Sequence, residues 1–344
     1  MDIVKAKDLE GNWKAIHTES MDDLWYLKNI MTPGTIIRKT VLRRDEKRDD
    51  MSRSKESSKR PVTVSVKVEG SEFQPYTDRL RIRGIVCDGP MELMGEHQSV
   101  QVSSDDDIDI FRENWGDFAG SLVKESMMKG SGGGVIVIMD DENAIITILR
   151  DYGIHNVGTI NSGKSGKYYA SNYSRDNYFR EILKVLVSTE PGKPVVITGP
   201  GFEGANFMEF AVEHEPSRKF MQVQSTGNTE SAVYEIIGLE NIKSFIGSSR
   251  LSVEKSFMED FLRELGKNGL CTYGRADLEK NASAGSISKL LVLETVIRDQ
   301  WVRDLMEMAS SSGAEVVVAS EHGEHSMAIS GFGGVLAILR YRIN

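Results

Sequence analysis

A glycine-rich octapeptide, GTINSGKS, begins at Gly158, ends at Ser165 and matches the phosphate-binding P-loop pattern letter for letter. A functional P-loop follows a buried strand and leads directly into a helix whose N-terminal N–H groups converge on phosphate. Here the residues before the match form a weak strand pattern, and the KYYASNYSRDN that follows has no helical face. The sequence therefore favours a surface loop that carries Lys164, with a P-loop NTPase as a remote alternative.

Two further groups of side chains have the chemistry of metal ligands. Asp22 and Asp23 begin a helical pattern, where two carboxylates could hold the hard divalent cation that phosphodiester hydrolysis requires. Acidic residues in a first helical turn are explained equally well by the helix dipole. The cluster EHGEH at residues 321–325 contains zinc-ligand types, but its central glycine indicates a turn, and a solvated loop is favoured.

A basic segment at residues 38–60 stands out from an acidic chain. It contains ten Lys or Arg and five Asp or Glu, so it carries +5 within a chain of net charge −9, which leaves −14 for the rest. Few apolar residues follow Leu42, and we expect a segment that cannot pack. Contact with an RNA backbone is the natural use of such charges, and a solvated mixed-charge loop is the equally open alternative.

The tripeptide Pro200, Gly201 and Phe202 follows an apolar strand, PVVIT, and precedes a helical pattern that starts at Gly204. A turn that displays an aromatic ring at the end of a strand suits the docking of a partner, because an exposed ring is costly unless something covers it. The alternative, in which Phe202 folds onto its own core, stays open.

The first part of the chain reads mostly as strands, such as VTVSVKV and LRIRGIV, separated by short turns. One amphipathic helix interrupts them, with Ser20 as its N-cap and Leu24, Leu27 and Met31 on one face. A small β-barrel packed by one helix is the simplest architecture. Strands then alternate with helices, which predicts an α/β domain with a mixed sheet and a second α/β domain after it. The predicted domains are residues 1–130, 131–246 and 247–344.

Composition narrows the class of protein. Of the 344 residues, 40% are hydrophobic and 27% are charged, the balance of a folded globular protein. No apolar run approaches the roughly 20 residues of a membrane span, so we expect a cytoplasmic protein without membrane contact. Cys87 and Cys271 lie far apart in apolar stretches, which predicts buried thiols. Without an obvious apolar seam for self-association, we expect a monomer.

Taken in order, these segments resemble the Pelota family of Archaea over essentially the whole chain. The resemblance lies in DDLWYLKNIM near the start, PGF after the central strand, TYGRADLEKNASAGSISKLLVLE and the closing GGVLAILRYRI. It implies a multidomain α+β and α/β protein with an N-terminal Sm-like β-barrel and a central release-factor-like α/β domain with a mixed sheet. The C-terminal domain is expected to be an α/β sandwich similar to the kink-turn-binding ribosomal protein fold.

The resemblance also implies a function in ribosome rescue and mRNA surveillance, known as no-go decay. Members of the family enter the ribosomal A site with a translational GTPase, which in Archaea is elongation factor 1 alpha in its GTP form. They then promote subunit dissociation with an ABC-type ribosome recycling ATPase. The Gly-Gly-Gln loop with which release factors hydrolyse peptidyl-tRNA is absent from this sequence. Rescue without peptide release is the consistent interpretation.

Family positions carried onto this chain give two candidate contact sites. Pro200, Gly201 and Phe202 match the motif at the GTPase interface. The basic segment matches the loop that reaches toward the decoding centre and the mRNA; its candidate contact residues are Arg43, Arg44, Lys47, Arg48, Arg53, Lys55, Lys59 and Arg60.

A divalent-metal-dependent endoribonuclease in the N-terminal domain is the alternative function, because such an activity has been proposed for some members of the family. Asp22 and Asp23 lie near the family's acidic helix start and are the candidate catalytic residues. The sequence offers no complete metal shell beside them, so it leaves open whether the protein is an enzyme and whether it uses a divalent cation.

Overall fold

The computed structural model describes residues 6–44, 59–74, 77, 79–128, 133–164, 174–247 and 249–343. Its strands form three separate sheets with helices against them, which confirms the predicted multidomain fold class. By internal contacts, Met1–Gly130 with Val296–Ser312 form one compact unit, and Ser131–Thr295 with Gly313–Asn344 form another. The domain boundaries near residues 130 and 246 stay predictions.

The N-terminal domain contains one antiparallel sheet of seven strands in the order β1-β2-β7-β3-β4-β5-β6. Its elements are β1 (Ala6–Asp8), β2 (Trp13–His17), α1 (Met21–Ile30), β3 (Ile36–Arg44), β4 (Lys59–Gln74), β5 (Arg79–Asp88), β6 (His97–Ser103), β7 (Asp107–Phe111) and α2 (Asp117–Met128). Alternate residues point to opposite faces of a strand, and in β5 they alternate between buried and exposed. One face of the sheet therefore forms the core.

The sheet curls on itself until its last strand approaches β3. Lys39 of β3 donates from Nζ to the carbonyl of Gln101 in β6, at 2.6 Å, and to the carboxylate of Asp106, at 2.5 Å. These contacts join strands that lie three positions apart in the sheet order. The curl agrees with the predicted barrel.

Helix α1 is buried on nearly all sides, although the sequence predicted an amphipathic helix. Its buried residues include Trp25, Tyr26 and Asn29, which lie outside the predicted face. The helix contacts β4, β5, β6 and α2. The predicted face of Leu24, Leu27 and Met31 is buried, and burial extends beyond it, so the expectation of a single buried face was wrong.

The central domain is built on a mixed sheet in the order β10-β9-β8-β11-β12, with β8, β11 and β12 parallel. Its elements are β8 (Val135–Met139), β9 (Asn143–Arg150), β10 (Gly153–Asn161), α3 (Arg175–Ser188), β11 (Val195–Thr198), α4 (Glu203–His214), β12 (Phe220–Gln222), α5 (Ser231–Ile236) and α6 (Glu240–Ile246). Val135 and Val137 pack in a core with α3 and α4, whereas Ile136 and Ile138 pack in a second core with α5 and α6. Both faces of the sheet are therefore covered.

The C-terminal domain contains a four-stranded sheet in the order β13-β16-β14-β15, in which β14 and β15 are parallel. The elements that follow α6 in the chain are α7 (Arg250–Gly266), β13 (Cys271–Tyr273), α8 (Arg275–Ser283), β14 (Ile287–Leu293), α9 (Gln300–Ser311), β15 (Glu315–Ala319), α10 (Ser326–Gly331) and β16 (Val335–Leu339).

The two cysteines are not buried as the sequence predicted. Cys87 is exposed and Cys271 is half-buried. Cys271 lies in β13, a three-residue edge strand, and Cys87 lies where the register between β4 and β5 shifts. In the part of the chain that the structure describes, no helix is long and apolar enough to cross a membrane.

One arginine holds the end of α3 against the strand that follows it. Arg218 donates from Nε to the carbonyl of Lys193 at 2.8 Å. Its Nη atoms donate to the carbonyl groups of Leu186, Thr189 and Glu190. Helix ends leave carbonyl groups without intrahelical partners, and a guanidinium has enough donors to satisfy several of them. Burial lowers the pKa of Arg218.

Replacing Arg218 by Met is expected to destabilise the end of α3 and the residues that follow it by about 2 kcal/mol, because several carbonyl acceptors lose a charged donor. Hydrogen–deuterium exchange should then speed up roughly thirtyfold for amides of α3 and β11. Arg263→Met is the matched control, since Arg263 forms an exposed pair with Asp260, and such pairs contribute about 1 kcal/mol or less. Equal exchange in the two variants would contradict the assigned role of Arg218.

Candidate functional site

The basic segment is partly a β-hairpin and not the non-packing loop that the sequence predicted. Strand β3 continues through Arg44 and β4 begins at Lys59, with Arg43 opposite Arg60 and Arg44 opposite Lys59. The segment pairs because its partner strand supplies a backbone ladder, which charged side chains do not prevent. Lys47, Arg48, Arg53 and Lys55 lie outside the described residues.

Arg60 forms an exposed ion pair with Glu92, with Nη2 and Oε1 at 3.0 Å. Such a pair is weak, because water screens both charges. Arg60 is therefore able to exchange this carboxylate for a phosphate at little cost. We call the paired ends of β3 and β4, residues 43–44 and 59–60, the basic hairpin.

Asp22 and Asp23 are both in the first turn of α1, as predicted, and Ser20 is the N-cap. The Asp23 carboxylate accepts the backbone N–H groups of Glu19 and Ser20, at 3.0 and 2.9 Å, while the Ser20 hydroxyl accepts the N–H of Asp23. This is a capping box, which stabilises a helix start. It occupies one oxygen of the buried Asp23 side chain with structural hydrogen bonds.

The donor set for a metal is also incomplete. Among the residues that the structure describes, no three His, Cys, Asp or Glu side chains are grouped to hold a metal ion. This includes the EHGEH cluster, where His322 and His325 each lie 4.0 Å from a neighbouring glutamate. The described residues around Asp22 and Asp23 thus do not offer the set of ligands that a divalent cation requires.

The first half of the octapeptide that matches a P-loop is a strand. Residues 158–161 belong to β10 and pair in an antiparallel ladder with β9, for example Thr159 with Ile145. Lys164 forms an ion pair with Asp141. A backbone engaged in this ladder cannot wrap around a phosphate, so the pattern match is coincidental and the P-loop alternative is wrong.

Pro200, Gly201 and Phe202 form a corner at the carboxyl end of β11, and Phe202 caps the N-terminus of α4. The carbonyl of Phe202 accepts the N–H groups of Ala205 and Asn206, at 3.1 and 3.2 Å. The Phe202 side chain is 82% exposed. Of the two alternatives, the structure thus shows the exposed ring and not the ring folded onto its own core.

Two glycines fix the course of the chain through this corner. Gly201 has φ of +76°, a conformation that L side chains rarely adopt. A Cβ atom on Gly199 would lie 1.9 Å from the carbonyl oxygen of Met139, so β8 and β11 approach too closely there for any other residue. The corner is held by backbone geometry, and the Phe202 ring is presented from a rigid base.

An ion pair flanks the exposed ring. Glu203 accepts from Arg175 at 2.5 Å through Oε1, while its buried Oε2 has no hydrogen-bond partner in the described structure. Arg175 begins α3 and Glu203 begins α4, so the pair ties the starts of two helices together. The surface around Phe202 therefore combines an apolar ring with charged groups, as protein interfaces do.

Sequence reasoning missed a row of arginines on β5. Arg79, Arg81 and Arg83 alternate along this strand and are exposed, because the intervening residues fill the core. Arg83 pairs with Glu72 and Arg81 donates to Ser99. Their period of two was available in LRIRGIV as a signal for an arginine-bearing outer face.

Comparisons with known proteins agree with this architecture. The family model for the Pelota N-terminal domain matches residues 1–127, and the model for eRF1 domain 3 matches residues 251–343. The protein pelota homolog of Picrophilus torridus is 35% identical over 333 residues, which cover 94% of this chain and 95% of that protein.

Solved structures show the same relationship. The crystal structure of the Thermoplasma acidophilum Pelota protein aligns with a TM-score of 0.77 and 26% identity, covering 99% of this chain and 100% of that one. S. cerevisiae Dom34, a translation termination-like factor involved in RNA quality control pathways and interacting with Hbs1, aligns with a TM-score of 0.52 and 16% identity over 99% of both chains.

The three sheets and the two family matches define a protein built like a translation termination factor. Its similarity to the pelota homolog extends over nearly the full length of both chains. The chain belongs to the Pelota family.

Proposed function

We propose that this protein is a ribosome rescue and mRNA surveillance factor. It enters the A site of a stalled ribosome with elongation factor 1 alpha in its GTP form, and it promotes dissociation of the subunits together with an ABC-type ATPase. Ribosome rescue takes place in the cytoplasm, where ribosomes translate. The observation that carries this proposal is the exposed Phe202 ring on its rigid corner, at the motif that the family uses toward its GTPase.

Phe202 supports a docking function because its ring is not packed into the core of its own domain. The ring is 82% exposed although the neighbouring Phe207 is completely buried. A large aromatic side chain that fills a pocket of a partner contributes much of the binding free energy at an interface. The GTP-bound factor is the partner that fits, because it accompanies the protein into the A site.

The basic hairpin supports contact with RNA. It belongs to a segment that carries +5 within a chain of net charge −9, so this segment differs in sign from the remaining residues. Acidic surfaces are repelled by ribosomal RNA, whereas a basic segment is attracted. The protein is therefore oriented with this hairpin toward mRNA and the decoding centre.

The proposal does not include hydrolysis by this chain. The sequence has no Gly-Gly-Gln with which to release a peptide. Asp23, a candidate nuclease residue, is committed to the capping box of α1. Fold similarity to Dom34 is compatible with a function in RNA quality control that depends on partners.

Co-sedimentation with archaeal ribosomes that carry a short mRNA and an empty A site tests the proposal. We expect retention to rise when elongation factor 1 alpha and a non-hydrolysable GTP analogue are added. Changing Lys47, Arg48, Arg53 and Lys55 to Gln should weaken retention by at least tenfold and flatten its salt dependence. Each lost contact with a phosphate of single-stranded RNA lowers the magnitude of the slope of log K against log salt by about 0.7.

The matched control removes four exposed positive charges from the C-terminal domain, at Arg263, Lys267, Arg275 and Lys280. This variant has the same net charge as the variant of the basic segment, and it should keep most of the retention. Equal losses in the two variants would mean that overall charge, and not the basic segment, attracts the protein to the ribosome. A wild-type protein that ignores both ribosome and factor would overturn the proposed function.

A further inference from the structure

A polar groove opens on the outer face of the N-terminal sheet, where β3 and β7 separate. Their ladder ends with Arg38 opposite Asp109, although β3 continues to Arg44 and β7 begins at Asp107. The separation leaves a cavity of about 220 Å³. The polar residues that line it are His17, Arg38, Lys39, Thr40, Thr63, Asp107 and Asp109.

Asp109 and Arg38 are the two charged residues at the end of the ladder, and no ion pair joins their side chains in the described structure. Asp109 is half-buried, and its carboxylate makes no hydrogen bond or ion pair with any residue in the described ranges. Arg38 donates from Nε to Ser65 at 3.3 Å, and its guanidinium stacks on Trp13 at 4.1 Å. Within the described part of the chain, its terminal nitrogens have no acceptor. A donor therefore lies across the ladder from an acceptor, and the described residues leave both able to bind a ligand.

The other lining residues complete a polar wall. The hydroxyl groups of Thr40 and Thr63 are 2.9 Å apart, and only one of them donates in that bond, which leaves a second hydroxyl hydrogen for a ligand. His17 lies on the opposite side, with Nδ1 2.9 Å from Asp107. Such a wall suits a flat ligand with several polar atoms on its edge.

The groove is continuous with the basic hairpin. Thr40 and Thr63 face each other on the ladder that ends in the pair Arg44 and Lys59, four residues away on each strand. Four residues of a strand span about 13 Å. A single RNA strand whose phosphates contact the basic hairpin therefore passes the mouth of the groove.

The charges decide which part of that RNA enters. The carboxylates of Asp107 and Asp109 offset the two positive charges of the lining, so the groove has no excess positive charge to hold a phosphate. The groove therefore takes the uncharged base while the basic hairpin holds the backbone. Guanine carries two adjacent N–H donors, N1–H and the N2 amino group, next to the acceptor O6. Adenine, cytosine and uracil each place an acceptor beside their Watson–Crick donor, and this acceptor would face the carboxylate. Single-stranded RNA exposes these edges for recognition.

We propose that the groove between β3 and β7 binds a guanine base of single-stranded RNA. Asp109 accepts from N1–H and N2–H, and Arg38 donates to O6. This inference rests on the proposed RNA contact of the basic hairpin and adds a base preference to it.

Fluorescence anisotropy on the full-length protein tests the preference directly, without ribosomes. The probes are labelled uridine oligomers of about ten nucleotides, carrying one central guanosine, one inosine or none. Inosine keeps N1–H and O6 but lacks the N2 amino group. We expect the guanosine probe to bind roughly tenfold tighter than the all-uridine probe, with inosine between them.

Asp109→Asn should reduce the guanosine preference to less than about twofold, because an amide offers the base a donor where a second acceptor is needed. Glu72→Gln is the matched control, since it removes one negative charge from the same domain outside the groove and should keep the preference. A preference that survives Asp109→Asn unchanged would overturn the inference.

Equal binding of all three probes by the wild-type protein would also overturn it, and this comparison holds even if Asp109→Asn disturbs folding. That result would leave the proposed function intact, because ribosome co-sedimentation does not depend on a base preference. Conversely, a protein that prefers guanosine yet ignores ribosomes would keep the groove and lose the proposed function.

Discussion

Replacing Phe202 by Ala is expected to weaken binding to GTP-bound elongation factor 1 alpha by at least thirtyfold. An aromatic anchor at the centre of an interface contributes about 2 kcal/mol or more when it is truncated. The folded state should lose little, because the ring is 82% exposed and the corner is held by the backbone of Gly199 and Gly201. Titration calorimetry with the purified factor and a non-hydrolysable GTP analogue measures the change.

Leu262→Ala is the control for this experiment, since Leu262 is a large hydrophobic residue with 49% exposure on α7, outside the Phe202 corner. Its affinity for the factor should equal that of the wild-type protein. Ribosome retention without the factor should be unchanged in both variants, because the basic segment supplies that contact. If Phe202→Ala keeps full affinity, the corner is not the site of GTPase docking.

At the Phe202 corner, the sequence predicted the order of the elements but not the direction of the ring. The order of strand, Pro-Gly turn and helix was predictable, because an apolar run, two turn residues and a helical period follow one another. The direction of the ring was not predictable, since it depends on the approach of β8 to the end of β11, where Met139 and Gly199 are 60 residues apart along the chain. Sequence patterns report faces and periods, not such distant approaches.

The groove in the N-terminal domain was missed for a related reason. Arg38 and Asp109 are far apart in sequence and become neighbours only through the register of β3 and β7. Arg38 also opens a run of charges, which indicated a solvated segment. The alternation in KTVLRR and the apolar partner strand PVTVSVKV were the signals for a hairpin, but the charge composition outweighed them.

A buried glutamate in α7 gives the C-terminal domain a dependence on pH. Glu254 is 3% exposed, and its pKa is raised from 4.5 to about 7, first of all because burial disfavours the charged carboxylate. Glu294 and Glu324 add to the increase, whereas Arg250 and the backbone N–H of Ser320 oppose it. The buried carboxyl therefore favours its protonated, neutral form.

The direction of the effect follows from this increase. A group whose pKa is higher in the folded state stabilises the fold while it is protonated in both states, which holds below pH 4.5. That stabilisation is lost as the pH rises from about 4.5 to about 7, and above pH 7 the charged form stays buried. A difference of this size corresponds to about 3 kcal/mol at most.

Glu254→Gln should therefore make the C-terminal domain about 2 to 3 kcal/mol more stable at pH 8, because a neutral amide replaces a buried charge. At pH 4.5 the variant and the wild-type protein should differ little. Hydrogen–deuterium exchange of amides in β14 and β15, corrected for the intrinsic effect of pH, compares the two proteins. Their protection should diverge as the pH rises between these limits.

Glu315→Gln provides the comparison for an exposed carboxylate, since Glu315 pairs weakly with Lys289 at 3.8 Å on the surface of β15. This variant should follow the wild-type protein at every pH. If Glu254→Gln were less stable than the wild-type protein at pH 8, the negative charge of Glu254 would stabilise the fold through its interaction with Arg250. The stability of the domain would then depend on an ion pair between Glu254 and Arg250, and it would increase, not decrease, as Glu254 ionises.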